Sequence, residues 1–190
     1  TVKGDASVSE KKNADGTIQA TAALSETAIN TQLSGDGKEV KLDLSAIEFE
    51  KYRQVELTLN KSIADKIQAA GKSLVLEGLA FNVSIPAISL SDYISSSGFS
   101  LKLHVLKEQA GDQKEKHVSS IVSIDQDEDT FKHNIALTLK YDAKSVKDPR
   151  KVIAYHQTTE EVWQPASLSD VSQQGQLKFN VTEPGAYAAV

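Results

Sequence analysis

Residues 17–105 carry one pattern three times: an alternating apolar stretch, a short helical signal, a glycine-bearing turn and a second alternating stretch. Alternation at period two puts every second side chain on one face of a strand, and spacings of three and four put them on one face of a helix. In the first unit Ile18, Ala20, Ala22 and Leu24 alternate. Ser25 stands where it can cap a helix carrying Ile29 and Leu33. Residues 34–37 (SGDG) stop that helix, and Val40, Leu42 and Leu44 form the return strand. In the second unit Val55, Leu57 and Leu59 alternate, and Ser62 and Asp65 have capping-box spacing. Ile63, Ile67 and Ala70 then share a helical face, Gly71 falls at the helix C-terminus, and Leu74 and Leu76 resume a strand. In the third unit Phe81, Val83 and Ile85 alternate up to Pro86, and Ser89 and Asp92 repeat the capping-box spacing. Leu90 and Ile94 share a face, and Gly98 precedes Leu101, Leu103 and Val105. Helices this short are unstable alone and must pack on a sheet, so the pattern implies a layered α+β arrangement.

The flanks are simpler. Residues 1–12 are polar and read as a lead-in strand or a linker, ending in a turn at Asn13-Ala14-Asp15-Gly16. Residues 107–116 (KEQAGDQKEK) form an exposed hairpin loop or a joint between subdomains. Beyond them the helical signal stops. Short alternating stretches at 118–124, 135–141, 152–155, 162–164, 177–181 and 187–190 predict an antiparallel sheet or a small sandwich. The expected fold is therefore β-rich α+β, with a β-α-β-repeat subdomain over 1–112 and an antiparallel β subdomain over 113–190, the two joined near residue 112 or packed as one unit.

These residues resemble a known kind of module. The segment VELTLNKSIADKIQAAGKSLVLEGLAFNVSIP (55–86) is similar to the repeating core of Paenibacillus- and Bacillus-type cell-surface proteins, in which a strand, a short helix, a glycine and a strand ending in Ile-Pro recur. The C-terminal stretches KVIAYHQTTEEVWQPAS and GQLKFNVTEPGAYAAV extend the resemblance through Tyr155, Trp163, Gly175, Phe179, Val181, Tyr187 and Ala188. Where that family closes on His-Phe-Ser before the tyrosine, this chain has Glu183-Pro184-Gly185-Ala186. Such modules commonly precede S-layer-homology domains. The resemblance implies an extracellular structural, spacer or display module at a Gram-positive cell surface, whose partners are the neighbouring domains of its own protein, with cell-wall or extracellular polysaccharide as a further candidate.

The chemistry-bearing residues fit that picture. A formal net charge of -5 disfavours nucleic acid. The absence of cysteine excludes disulfides, thiol catalysis and cysteine-held metals. With no methionine and Thr1 first, the chain reads as a processed protein or an excised fragment. No apolar run is long enough to cross a bilayer, so no direct membrane insertion is expected. Neither a G-x-S-x-G elbow nor a phosphate-cradling glycine loop occurs, and the four histidines (His104, His117, His133, His156) read as surface residues, so no enzyme and no cofactor are expected. Asp125, Asp127 and Asp129 alternate as hard oxygen ligands for calcium do, but Thr130 and Ala136 stand where an EF-hand needs Gly and Glu, which rules that motif out; the run reads first as a solvated acidic hairpin turn, with calcium as the alternative. Trp163, Tyr155 and His156 could form a small sugar platform, which is the basis of an alternative reading as a carbohydrate-binding module attached to a polysaccharide-active enzyme. In the family pattern Trp163 is instead a core or corner residue. Asn60, Asn82 and Asn180 begin Asn-x-Ser/Thr triplets.

Overall fold

The computed structural model describes residues 1–107, 117–125, 132–157, 163–166, 171–173 and 175–190. A hairpin of β1 (Val2–Lys3) and β2 (Ala6–Lys12) leads into the first unit: β3 (Ile18–Leu24), α1 (Glu26–Leu33) and β4 (Glu39–Asp43). The second unit is β5 (Gln54–Leu59), α2 (Lys61–Ala69) and β6 (Ser73–Glu77). The third is β7 (Phe81–Ile85), the single turn α3 (Ala87–Leu90), β8 (Ile94–Ser95) and β9 (Gly98–Leu106). After these come β10 (Ile121–Asp125), β11 (Ile135–Lys140), β12 (Ala154–Gln157), β13 (Trp163–Pro165), β14 (Val171–Gln173), β15 (Gln176–Val181) and β16 (Gly185–Ala189).

The fold is the expected β-rich α+β class, built as two sheets face to face. Among the described residues the larger sheet runs β1-β2-β3-β5-β9-β10-β16-β12-β13, with β8 paired to β9; the smaller runs β14-β15-β11-β7-β6-β4. The repeated units are bridges between these sheets. The first two start in the larger sheet and end in the smaller one, while the third crosses back. Because the first two cross in the same sense, their strands become parallel neighbours in each sheet. Ala22 lies opposite Leu57 in β3/β5, and Leu42 opposite Leu76 in β4/β6. The remaining strand pairs are antiparallel.

Strands on either side of residue 112 are neighbours in both sheets, β9 with β10 and β7 with β11. One apolar cluster also draws residues from both halves. Its register is continuous: Leu42, Leu76, Val83, Leu137 and Phe179 lie opposite one another across five strands of the smaller sheet, all buried. Across from them the larger sheet contributes the row Val8, Ala22, Leu57 and Leu101. Burial of two such faces is the main stabilising term, about 25 cal/mol per Å² of apolar surface removed from water.

The helix termini divide the sequence expectations. Ser25 caps α1, its Oγ accepting from the Ala28 N–H at 3.2 Å, and Ile29 is fully buried. Gly71 follows α2 with φ 67°, as a helix C-terminal glycine should. Ser62 is not the cap of α2. Asn60, the residue directly after β5, takes that place, and its Oδ1 accepts from the Ser62 N–H at 2.9 Å. Asp65 instead pairs with Lys61 one turn back. Ser89 is likewise inside α3 and donates its hydroxyl to the Asn134 carbonyl at 2.7 Å, because Pro86 already opens that turn.

Two polar devices finish the first unit. The Lys72 ammonium, buried at the start of the return to β6, donates to the carbonyls of Gln32 (2.9 Å) and Gly35 (2.8 Å) and closes the C-terminus of α1. The Gln32 side-chain amide lies along the outer edge of β4, donating to the Lys41 carbonyl and accepting from the Lys41 N–H, both at 2.7 Å. Two residues on, the Asp43 N–H donates to Asp5 Oδ2 (2.7 Å), and the Asp5 N–H to the Asp43 carbonyl (2.9 Å).

Candidate functional site

The residues singled out for ligand binding lie on β12 and β13, at the end of the larger sheet. Alternation splits them. In β12, Ala154 and His156 point to the interior, while Tyr155 and Gln157 point outward and are half-buried. Trp163 lies opposite Gln157 and Pro165 opposite Tyr155, so Trp163, Tyr155 and Gln157 share the outward face and His156 does not. The expected three-residue platform is therefore not assembled. Trp163 packs instead against the buried His117, with ring centroids 4.9 Å apart in an edge arrangement.

On the inward side His156 sits in a closed polar knot. Its ring stacks on Tyr187 of the neighbouring β16 at 4.5 Å with an interplanar angle of 14°. Nδ1 lies 3.2 Å from the Glu183 carboxylate, and Nε2 lies 3.1 Å from the Pro184 carbonyl. Each ring nitrogen thus faces an oxygen of the turn between Glu183 and Gly185. The Tyr187 hydroxyl donates back to the Glu183 carbonyl at 2.6 Å. This is the tyrosine-corner device of β-sandwiches, in which a strand tyrosine fastens the turn just before it. Burial and the nearby Glu183 charge push the Tyr187 phenol well above its ordinary value. Gly185 completes the knot. At φ 135° a Cβ would stand 2.5 Å from His156 Nε2, so the ring needs glycine there.

A His with a carboxylate on one nitrogen has the beginning of a general-base arrangement. Here the other nitrogen meets a backbone carbonyl where a substrate proton would have to be, and the ring is only 7% exposed. The knot binds β12 to β16 rather than presenting a base.

The other histidines are also placed. His133 contacts Asp92 through its backbone N–H at 3.1 Å and its Nδ1 at 3.3 Å. His104 lies on the outward face of β9, opposite Ser123 of β10, and burial with the adjacent Arg53 charge lowers its proton affinity. Of the acidic run, Asp125 ends β10 and accepts from the Gln54 side-chain amide at 3.1 Å; Asp127 and Asp129 lie outside the described residues. Among the described residues no three His, Asp or Glu side chains gather as a metal group. Asn60 is committed to its helix cap, Asn180 is exposed on β15, and Asn82 has its Oδ1 buried without a hydrogen-bond partner among the described residues.

A shallow cleft of about 350 Å³ opens where the two sheets meet, lined by Leu79, Val118, Ser119, Ser120, Lys140 and Asp142 among others. Its cation and one of its hydroxyls serve the fold. Lys140 Nζ donates to the Gly78 carbonyl at 2.7 Å, and Ser119 Oγ accepts from the Ala189 N–H at 2.9 Å.

Sequence reasoning missed Glu183, Lys72 and the pair Tyr52–Glu10, whose hydroxyl-to-carboxylate bond is 2.6 Å. Burial and that bond push the Tyr52 phenol up to about 12. Only the Glu-Pro-Gly run before Tyr187 carried a legible signal, as the point where the chain leaves the closing motif of the family it resembles. No family model matches this chain, and no curated protein does.

Proposed function

We propose that this chain is a non-catalytic structural module that spaces or displays neighbouring domains of a bacterial cell-surface protein outside the cell. One observation carries the reading. The groups best equipped for chemistry, His156 and Tyr187, have their ring nitrogens and hydroxyl committed to Glu183 and to the backbone of the turn that it opens. The surface placement rests on the resemblance of residues 55–86 and of the two C-terminal stretches to modules of Gram-positive surface proteins. Screening the chain against glycosides, esters and peptides should give no turnover; hydrolysis abolished by a single carboxylate or serine substitution overturns the proposal. Surface-protease accessibility on the producing cell tests the location.

A second reading is favoured by Tyr155, Gln157 and Trp163 on one outward face of β12 and β13. An aromatic plane beside amide groups suits a neutral sugar ring, as a carbohydrate-binding module would require. Affinity electrophoresis against cell-wall and plant glycans decides between the readings. Retardation lost in Trp163→Ala favours sugar binding, and free migration with every glycan favours the spacer.

A further inference from the structure

We infer that the fold is arranged to resist tension along the strands of the larger sheet, an inference that rests on the spacer reading and adds a mechanical function to it. The pairing senses give the direction of each strand. β2 is antiparallel to β3, β3 parallel to β5, and β5–β9, β9–β10 and β10–β16 are each antiparallel. Three changes of direction separate β5 from β16 and one separates β2 from β3, so β2 and β16 run the same way.

Their registers place the outer ends apart. Ala6, the first residue of β2, lies opposite Leu24 of β3, at the end of the sheet where Leu59 faces Phe99. Tyr187 lies opposite Val122, which faces Val105, so β16 finishes beyond the other end of β9. At about 3.3 Å per residue, the entry to β2 and the exit from β16 are separated by about 25 Å along the strand direction.

Tension applied ahead of β2 and behind β16 therefore pulls each strand along its own axis. The hydrogen bonds of an antiparallel ladder are perpendicular to that axis, so they are loaded together instead of opening one after another. β2 meets β3 over seven residues, and β16 is held on both sides by β10 and β12. Only β1, two residues antiparallel to β2, can peel away first. Behind it Asp5 is bonded to Asp43 in the smaller sheet through both its N–H and its carboxylate, and the Ser25 N–H donates to the Asp5 carbonyl at 2.8 Å. The approach is so close that a Cβ on Gly4 would stand 2.5 Å from the Asp43 carbonyl oxygen. At the far end, Val118 donates to the Ala189 carbonyl, and Ile153 and Val190 exchange a reciprocal pair of bonds. Both points where force would enter are thus tied beyond their own ladder.

Single-molecule force spectroscopy of the full chain tests this. Handles fused before Thr1 and after Val190 load the strands lengthwise. Because the chain has no cysteine, handles on a Ser9→Cys, Gln164→Cys variant load the same sheet crosswise. The lengthwise unfolding force should exceed the crosswise force by about twofold or more at equal pulling rate. Asp5→Ala should reduce the lengthwise force and leave the crosswise force unchanged. Equal forces in the two directions, or a weaker lengthwise one, overturn the inference. Enzymatic turnover would instead remove the spacer reading and leave the force ratio as measured.

Discussion

The two strand–helix–strand crossings at the front of the molecule and the β12–β16 closure at its end are held in different ways. In the crossings, fully buried aliphatic side chains meet in register: Ala22 faces Leu57, and Leu42 faces Leu76. At the closure the contact between neighbouring strands is an imidazole stacked on a phenol, with a carboxylate and two carbonyls around them. The first kind of contact is non-directional and tolerates small shifts. The second depends on distances of about 3 Å and fails when any member moves. A sandwich can therefore take its cohesion from one region and its exact closure from another.

Substitutions can break this comparison, and the largest effect belongs to the crossings. Leu57→Ala leaves a cavity in the continuous row and should cost about 2–5 kcal/mol in denaturant titration; a cost below about 1 kcal/mol would mean the row does not carry the cohesion assigned to it. Next comes the closure. Gly185→Ala combines a left-handed backbone with a Cβ in the His156 ring, and should cost about 1–3 kcal/mol. Its mark is local, with faster hydrogen exchange in β12 and β16 while β3 and β5 remain protected. Uniform loss of protection would show that the closure and the crossings unfold as one unit.

The crossings were legible because period two and the capping residues are local properties. The alternation at 18–24, 55–59 and 81–85 appears as β3, β5 and β7, and Ser25 and Gly71 stand where their residue types require. Which sheet each strand joins was not legible. Alternation defines a buried face and does not name the neighbour, so a β-α-β unit within one sheet and a bridge between two sheets read alike. The closure was less legible still. His156 and Glu183 are 27 positions apart, joined only by the pairing of β12 with β16, and nothing near His156 distinguishes it from a surface histidine.

A smaller effect sharpens the reading of the helix ends. Asn60→Ala should cost about 1 kcal/mol, because it removes the acceptor for the Ser62 N–H. Ser62→Ala should cost less, and the reverse order would restore Ser62 as the cap.

The smallest effects follow pH. His104 has its proton affinity lowered in the fold, and Asp15, Asp43 and Asp148 are each held below the ordinary carboxylate value, first by hydrogen bonds from Thr17, Ser45 and Arg150. For each, the unfolded chain binds its proton at a higher pH than the folded one. Their contribution is present above the ordinary values and is lost as pH falls through the lowered ones. Thermal melts should show a shallow decline beginning as pH drops through the ordinary histidine range and a further one in the carboxylate range. His104→Gln should remove the first step alone. At the alkaline end the sign reverses. Tyr52, raised to about 12, stabilises the fold below the ordinary phenol value and loses that contribution as pH climbs toward 12.

The Gln32 amide laid along β4 has a consequence for crowding. A bare outermost strand offers its N–H and C=O groups to any other chain that passes, and copies packed at high density meet often. Here the groups of Lys41 and Asp43 that would accept a newcomer are already occupied by Gln32 and Asp5. A passing chain therefore finds no free rung at Lys41 or Asp43 on this edge.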